Sequence, residues 1–170
     1  MKLLGMLLVF FSTTSLGYMA AFKYKMRFRI LKNLISALNL CKIEVTYSKD
    51  PMAEIFITIS SSLDKSIKPL FIKAAEILLE NKGYSGGEAW EAALKEWDSG
   101  YLKKEDIEIL RSFGYGLGKS DVYSQEKNFD LAVELLKRQL SSAEEENKKN
   151  EKLYKNIGVL TGLAIIILFL

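Results

Sequence analysis

No charged residue falls between Lys2 and Lys23, and the stretch from Leu3 to Phe22 is mostly apolar. As an α-helix with about 1.5 Å of rise per residue, such a run reaches roughly 30 Å, the thickness of a bilayer's hydrocarbon core. Only Lys2 precedes it, whereas Lys23, Lys25, Arg27, Arg29 and Lys32 follow. Positive charge clustered beside a span is normally retained in the cytoplasm. Residues 1–22 are therefore expected to form a transmembrane helix with its N-terminus outside. The alternative is a secretory signal, for which Ser15-Leu16-Gly17 supplies an acceptable cleavage site. The remainder would then be a secreted helical binding module with a C-terminal anchor.

The other end repeats the pattern. Residues 157–170 carry no charge but reach only about 21 Å, so the run must be counted from Leu153, with Lys155 snorkelling to the interface. Lys148, Lys149, Lys152 and Lys155 give this second span the same orientation as the first. The expected organisation is a transmembrane helix at 1–22, a helical cytoplasmic domain at 23–152 and a transmembrane helix at 153–170, both termini outward. Small residues suit close helix packing in lipid. Gly158 and Gly162 stand four apart, and Thr13, Gly17 and Ala21 form a matching ridge, so a contact within the chain or between copies is expected. Glycine is also simply frequent in membrane helices.

At 170 residues the chain has room for one ordinary domain. Its net charge of +3 hides an uneven distribution: residues 1–32 carry six basic and no acidic side chains, whereas residues 33–147 carry fourteen basic against twenty acidic. The basic residues sit beside the apolar ends, where they would meet anionic membrane lipid. No basic stripe marks the centre, which excludes nucleic acid as the expected partner and favours a basic or apolar one. Cys41 is the single cysteine, so no intramolecular disulfide can form, and a small buried hydrophobe is the simplest reading. Histidine is absent. That removes the usual general base, the usual zinc ligand and every Ser-His or Cys-His arrangement.

Between the ends the periodicity predicts an all-α bundle of about six helices. Ile30, Leu31, Leu34, Leu38, Cys41 and Val45 extend a first helix to about Tyr47, where Asp50 is expected to cap a second and Pro51 to take its first position. Ile55, Ile59, Ser62 and Leu63 carry that second helix, despite a β-branched run that also suits a strand. Asp64 or Ser66 starts a third with Leu70, Ala74, Ile77 and Leu78, ended by Gly83. Ser85-Gly86-Gly87-Glu88 reads as a capping box for a fourth with Ala89, Trp90, Ala93, Leu94 and Trp97, ended by Gly100. A fifth runs from about Lys103 to Leu117. The sixth carries Phe129, Ala132, Val133, Leu136, Leu140 and Ala143, then turns polar at 144–152, a solvated stalk or a hinge, with Glu144/Lys148 and Glu145/Lys149 spaced as helical ion pairs.

Candidate chemistry is thin. Gly114-Tyr115-Gly116-Leu117-Gly118-Lys119-Ser120 has the ending of a phosphate-binding loop, but Phe113 stands where the leading glycine is required and a helix precedes it instead of a strand. Its glycines better suit close helix packing, with Ser120 or Asp121 capping the next helix. Glu44 and Tyr47 share a helix face, and Glu105, Asp106 and Glu108 crowd another, with Arg111 within reach of Asp106 or Glu108. Paired carboxylates need a cleft and raised pKa values for acid-base work, and caps and solvated charge account for these. No catalytic, cofactor or metal site is expected.

Several stretches together carry a family likeness: the Leu3-Leu4-Gly5 start; Ile43-Glu44-Val45-Thr46-Tyr47 leading to Pro51; Ala89-Trp90-Glu91-x-x-Leu94; Leu110-x-x-Phe113-Gly114-x-x-Leu117-Gly118-x-Ser120-Asp121-x-x-x-Gln125; and Gly158-Val159-Leu160-x-Gly162. Along nearly its whole length the chain resembles the stage III sporulation protein AB family of endospore-forming bacteria. The resemblance implies a subunit of the membrane complex joining mother cell and forespore, in the mother-cell membrane facing the forespore. It implies a domain similar to the cytoplasmic domain of the F protein of type II secretion and type IV pilus machines, a non-enzymatic platform. By that analogy the partners are the stage III sporulation protein AA ATPase and the other stage III A membrane proteins. The secretion protein duplicates its domain and this chain has room for one, so a ring or dimer of copies would have to replace the second.

Overall fold

The computed structural model describes residues 2–48, 50–80, 83–98, 100–118 and 122–169. Among them the chain forms six α-helices: α1 Lys2–Tyr47, α2 Met52–Ser60, α3 Lys68–Leu79, α4 Gly86–Glu96, α5 Lys104–Tyr115 and α6 Val122–Phe169. The all-α class and the helix order follow the hydrophobic periodicities. Residues 30–140 form one compact unit; residues 1–29 and 141–170 form a second.

Within the unit 30–140, α2 packs on α3, α3 on α4 and α4 on α5. One buried aromatic from each of α2 to α6 makes a continuous chain through it. Phe56 and Phe71 meet edge to face at 5.6 Å, Phe71 and Trp90 at 5.4 Å, Trp90 and Phe113 at 5.3 Å, and Phe113 tilts onto Phe129 at 4.9 Å. Such pairs contribute about 0.5–1.5 kcal/mol each beyond the area they bury. Leu31, Leu34, Leu38 and Cys41 form the buried stripe of α1. Lys42 on the same helix pairs with Asp130 at 2.8 Å and Glu126 at 3.2 Å on α6.

The helix ends explain where sequence and structure part. Pro51 is itself the N-cap of α2, at φ −55° and ψ 144°, one place later than the Asp50 cap anticipated. Its carbonyl accepts from Glu54 and Ile55 N–H, while Asp50 N–H donates to Ser48 Oγ. Proline suits this position because an N-cap N–H has no partner within the helix. Asp64 organises the turn before α3: its Oδ1 accepts from Ser66 N–H at 3.0 Å and from the Ser66 hydroxyl at 2.7 Å. The Ser85/Glu88 capping box forms as the spacing requires, with Ser85 N–H donating to Glu88 at 2.8 Å and Glu88 N–H to Ser85 Oγ at 3.3 Å. Asp106, fully buried, closes the start of α5 by accepting from Lys103 N–H at 2.9 Å.

In the second unit the two helix segments run antiparallel. Gly17 lies against Gly158, Tyr24 stacks on Tyr154 at 5.8 Å, and buried Arg27 pairs with Glu146 at 3.1 Å. α6 is unbroken through residues 144–152, where Glu144 closes on Lys148 at 2.7 Å.

Among the described residues no helix is long and apolar enough to cross a membrane. α1 and α6 have the length, but charged side chains occupy α1 from Lys23 onward and α6 as far as Lys155. The uncharged run at residues 157–170 reaches only about 21 Å against the roughly 30 Å of a hydrocarbon core. The N-terminal run is broken by Ser12, Thr13, Thr14 and Ser15. The expected transmembrane helices at 1–22 and 153–170 are therefore corrected. The membrane location with a cytoplasmic centre and outward termini, deduced from those spans, loses its basis with them.

Candidate functional site

The motif residues of the centre converge on one junction between α4, α5 and α6. Trp90, fully buried, is its hub: the indole touches Phe56, Phe71 and Phe113, and its Nε1–H donates to the Leu110 carbonyl at 2.8 Å. Gly114 makes room for it, since the indole Cδ1 occupies the place a Cβ at 114 would take. α4 approaches the same turn through its own glycines: a Cβ on Gly87 would stand 2.7 Å from the Gly114 carbonyl, and one on Gly86 would stand 3.2 Å from that of Leu117. Leu94 on α4 and Leu117 in the turn after α5 are buried as well.

The turn after α5 is shaped by two further residues. Gly118 adopts φ +74°, the left-handed region glycine enters without strain. Asn128 on α6 donates from Nδ2 to the Phe113 carbonyl at 2.9 Å, and its amide fills the space beside Gly116. Gln125 is buried on α6 with its Oε1 lacking a hydrogen bond among the described residues. Ser120 and Asp121, read as caps, lie outside the described residues, as does Lys119. The Gly114–Gly118 segment thus packs helices where a phosphate loop would have to follow a strand.

The remaining motif residues stand apart from this junction. Glu44 is half-buried on α1, where after burial itself it is the second influence raising the Cys41 thiol well above its ordinary value. Tyr47 is 81% exposed and Pro51 begins α2. Arg111 bonds Glu91 on α4 at 3.2 Å and also Glu108, leaving Asp106 to its capping role. Those two carboxylates hold the guanidinium's pKa up, Glu108 first. In the second unit Gly17 and Gly158 meet at backbone distance: a Cβ on Gly17 would stand 2.6 Å from the Tyr154 carbonyl, and one on Gly158 would stand 2.9 Å from that of Thr13. Ala21 is buried, and Gly162 lies one turn beyond Gly158.

Sequence periodicity missed two members of the aromatic chain, Phe56 and Phe71. Phe56 lies inside a β-branched run and Phe71 beside Leu70, so neither position is distinguished by spacing alone. Among the described residues no group of three or more His, Cys, Asp or Glu side chains could hold a metal ion. The arrangement positions helices and presents surfaces.

Comparison with known proteins agrees along the whole chain. The family described as Stage III sporulation protein AB matches residues 2–170. Stage III sporulation protein AB of Bacillus subtilis (strain 168) is 35% identical over 171 residues, covering 100% of this chain and 99% of its own. A solved structure of stage III sporulation protein AB superposes with a TM-score of 0.66 at 32% identity, over 72% of this chain and 96% of its own. The resemblance carried by the motifs therefore holds, and the chain belongs to the stage III sporulation protein AB family, with a structural, non-catalytic role in the sporulation machinery beside other stage III A proteins.

Proposed function

We propose that the chain is a platform subunit of the stage III assembly, coupling the partner AA ATPase to the membrane-bound channel complex between mother cell and forespore. The observation that carries this reading is the end-to-end family match. The folded unit supports it by offering contact surface: Tyr47, Tyr115, Tyr123 and Leu131 are each more than half exposed. Exposed tyrosine is the composition of protein interfaces more than of plain solvated surface.

The helix pair of residues 1–29 and 141–170 has a different surface chemistry. Leu16, Met19, Leu160 and Ile167 are exposed there, with Lys23, Lys25 and Lys152 on the same helices. Apolar side chains beside a basic collar suit contact with anionic membrane lipid. A ring or dimer of copies would supply the second domain that the secretion-system relative carries in one chain.

Co-purification tests the reading. Full-length tagged protein recovered from sporulating cells should bring down the AA ATPase and other stage III A proteins. Recovery of intact, folded protein without the ATPase would contradict it.

A further inference from the structure

α3 and α4 leave between them a groove of about 500 Å³, lying wholly in the unit 30–140. Its wall is apolar where Pro69, Ile72, Ala93 and Trp97 line it. The Trp97 ring is fixed before anything binds, because its Nε1–H donates to the Ser66 carbonyl at 3.0 Å and Ser66 is held in turn by Asp64. Three ammonium groups border that wall. Lys73 is taken up by Glu96 at 3.0 Å, whereas Lys65 and Lys68 have no ion pair among the described residues. Besides Glu96, Glu76 is the carboxylate on the lining.

This local excess of positive charge runs against its surroundings. Residues 30–140 carry fifteen basic and seventeen acidic side chains, so an acidic ligand is disfavoured over the unit as a whole and favoured at Lys65 and Lys68. A preformed apolar wall beside free ammonium groups selects a ligand with both characters.

We propose that this groove docks an acidic, partly apolar segment of the partner ATPase, an inference that rests on the ATPase reading above. An aliphatic or aromatic side chain lies on Ile72 and the Trp97 ring, and carboxylates flanking it meet Lys65 and Lys68. Burial of the apolar side chain supplies the affinity. The lysines set orientation and association rate and make the contact salt-sensitive.

The test measures binding of purified AA ATPase to the full-length chain by biolayer interferometry, at low and raised salt. The variants are Lys65→Glu/Lys68→Glu, the milder Lys65→Ala/Lys68→Ala, and a control, Lys137→Glu, at an exposed position of α6. Circular dichroism melting checks that each is folded. The proposal expects salt-sensitive binding by wild type and control, and a loss of about tenfold or more in the Glu variant, less in the Ala variant. Groove variants that bind as tightly as wild type overturn the groove and leave the ATPase reading standing. A wild-type chain that does not bind overturns both.

Discussion

Trp90 and Gly114 share one space: the indole Cδ1 lies where a Cβ at 114 would project, and the same ring donates a hydrogen bond to the carbonyl of Leu110, one turn earlier on α5. α4 and α5 are locked by this fit. Gly114→Ala is expected to destabilise the chain by about 1–3 kcal/mol through overpacking, as a shift of the urea midpoint at unchanged slope. Gly83, at φ +77° with open space around it, serves as a comparison; alanine there costs only the backbone strain, about 1 kcal/mol. Equal effects at the two positions would mean that the indole shifts freely.

Trp90 itself separates packing from hydrogen bonding. Trp90→Ala removes the hub of the aromatic chain and is expected to cost about 3–5 kcal/mol. Trp90→Phe keeps much of the volume but loses the Nε1–H donor to Leu110, for a smaller loss of about 1–2 kcal/mol. Denaturant titration of both variants measures the difference. If Trp90→Phe were as damaging as Trp90→Ala, the hydrogen bond and not the packed volume would dominate.

Arg27 is almost fully buried and its guanidinium bonds Glu146. Removing the carboxylate leaves a buried charge short of a partner, so Glu146→Ala should cost more than Arg27→Met, which replaces the charge with apolar volume. The carboxylate is partly exposed, which brings the expected loss to about 1–3 kcal/mol, below that of a fully buried pair. Thermal melts of the two single variants and the double variant check this. The double variant should lose less than the sum.

Burial, with Glu44 adding to it, pushes the Cys41 thiol far above its ordinary value of 9.0. The folded state thus favours the neutral thiol, and this contribution is complete below pH 9 and is lost as pH rises, because the unfolded chain releases a proton that the folded chain keeps. Stability should fall by about 1.4 kcal/mol per pH unit from this group above that point. Cys41→Ala is expected to be less stable near neutrality, by about 1 kcal/mol, but to decline less steeply in alkali. Denaturant midpoints measured across that range decide it; parallel curves would contradict the assignment.

How much of this was legible beforehand depends on the kind of residue. Strong apolar spacing placed α1, α3, α5 and α6, and Ser85 with Glu88 announced the start of α4 because a capping box is a local, two-residue device. Phe56 and Phe71 were not legible, since what distinguishes them is contact with Trp90 from other helices, and sequence spacing holds no long-range information. Gly86 and Gly87 read only as the middle of a capping box and Gly114 as a packing or exit residue, and only the structure pairs Gly87 with Gly114 across two helices. The apolar ends misled in another way. Length along the sequence suggested spans, whereas no helix among the described residues is long and apolar enough to cross a membrane, and the Gly17/Gly158 contact is a meeting of two helix backbones whatever surrounds them. The α3/α4 groove left no signal, because Lys65, Ile72 and Trp97 come from a turn, a helix face and a helix end.

The central claim is coupling, and coupling is a difference of affinities between states. Affinity of the full-length chain for the AA ATPase, measured with no nucleotide, with ADP and with a non-hydrolysable ATP analogue, tests it most directly. The account predicts affinities that differ between nucleotide states by about fivefold or more. The same affinity in all three states would contradict it, leaving at most a passive anchor where a coupling platform is proposed.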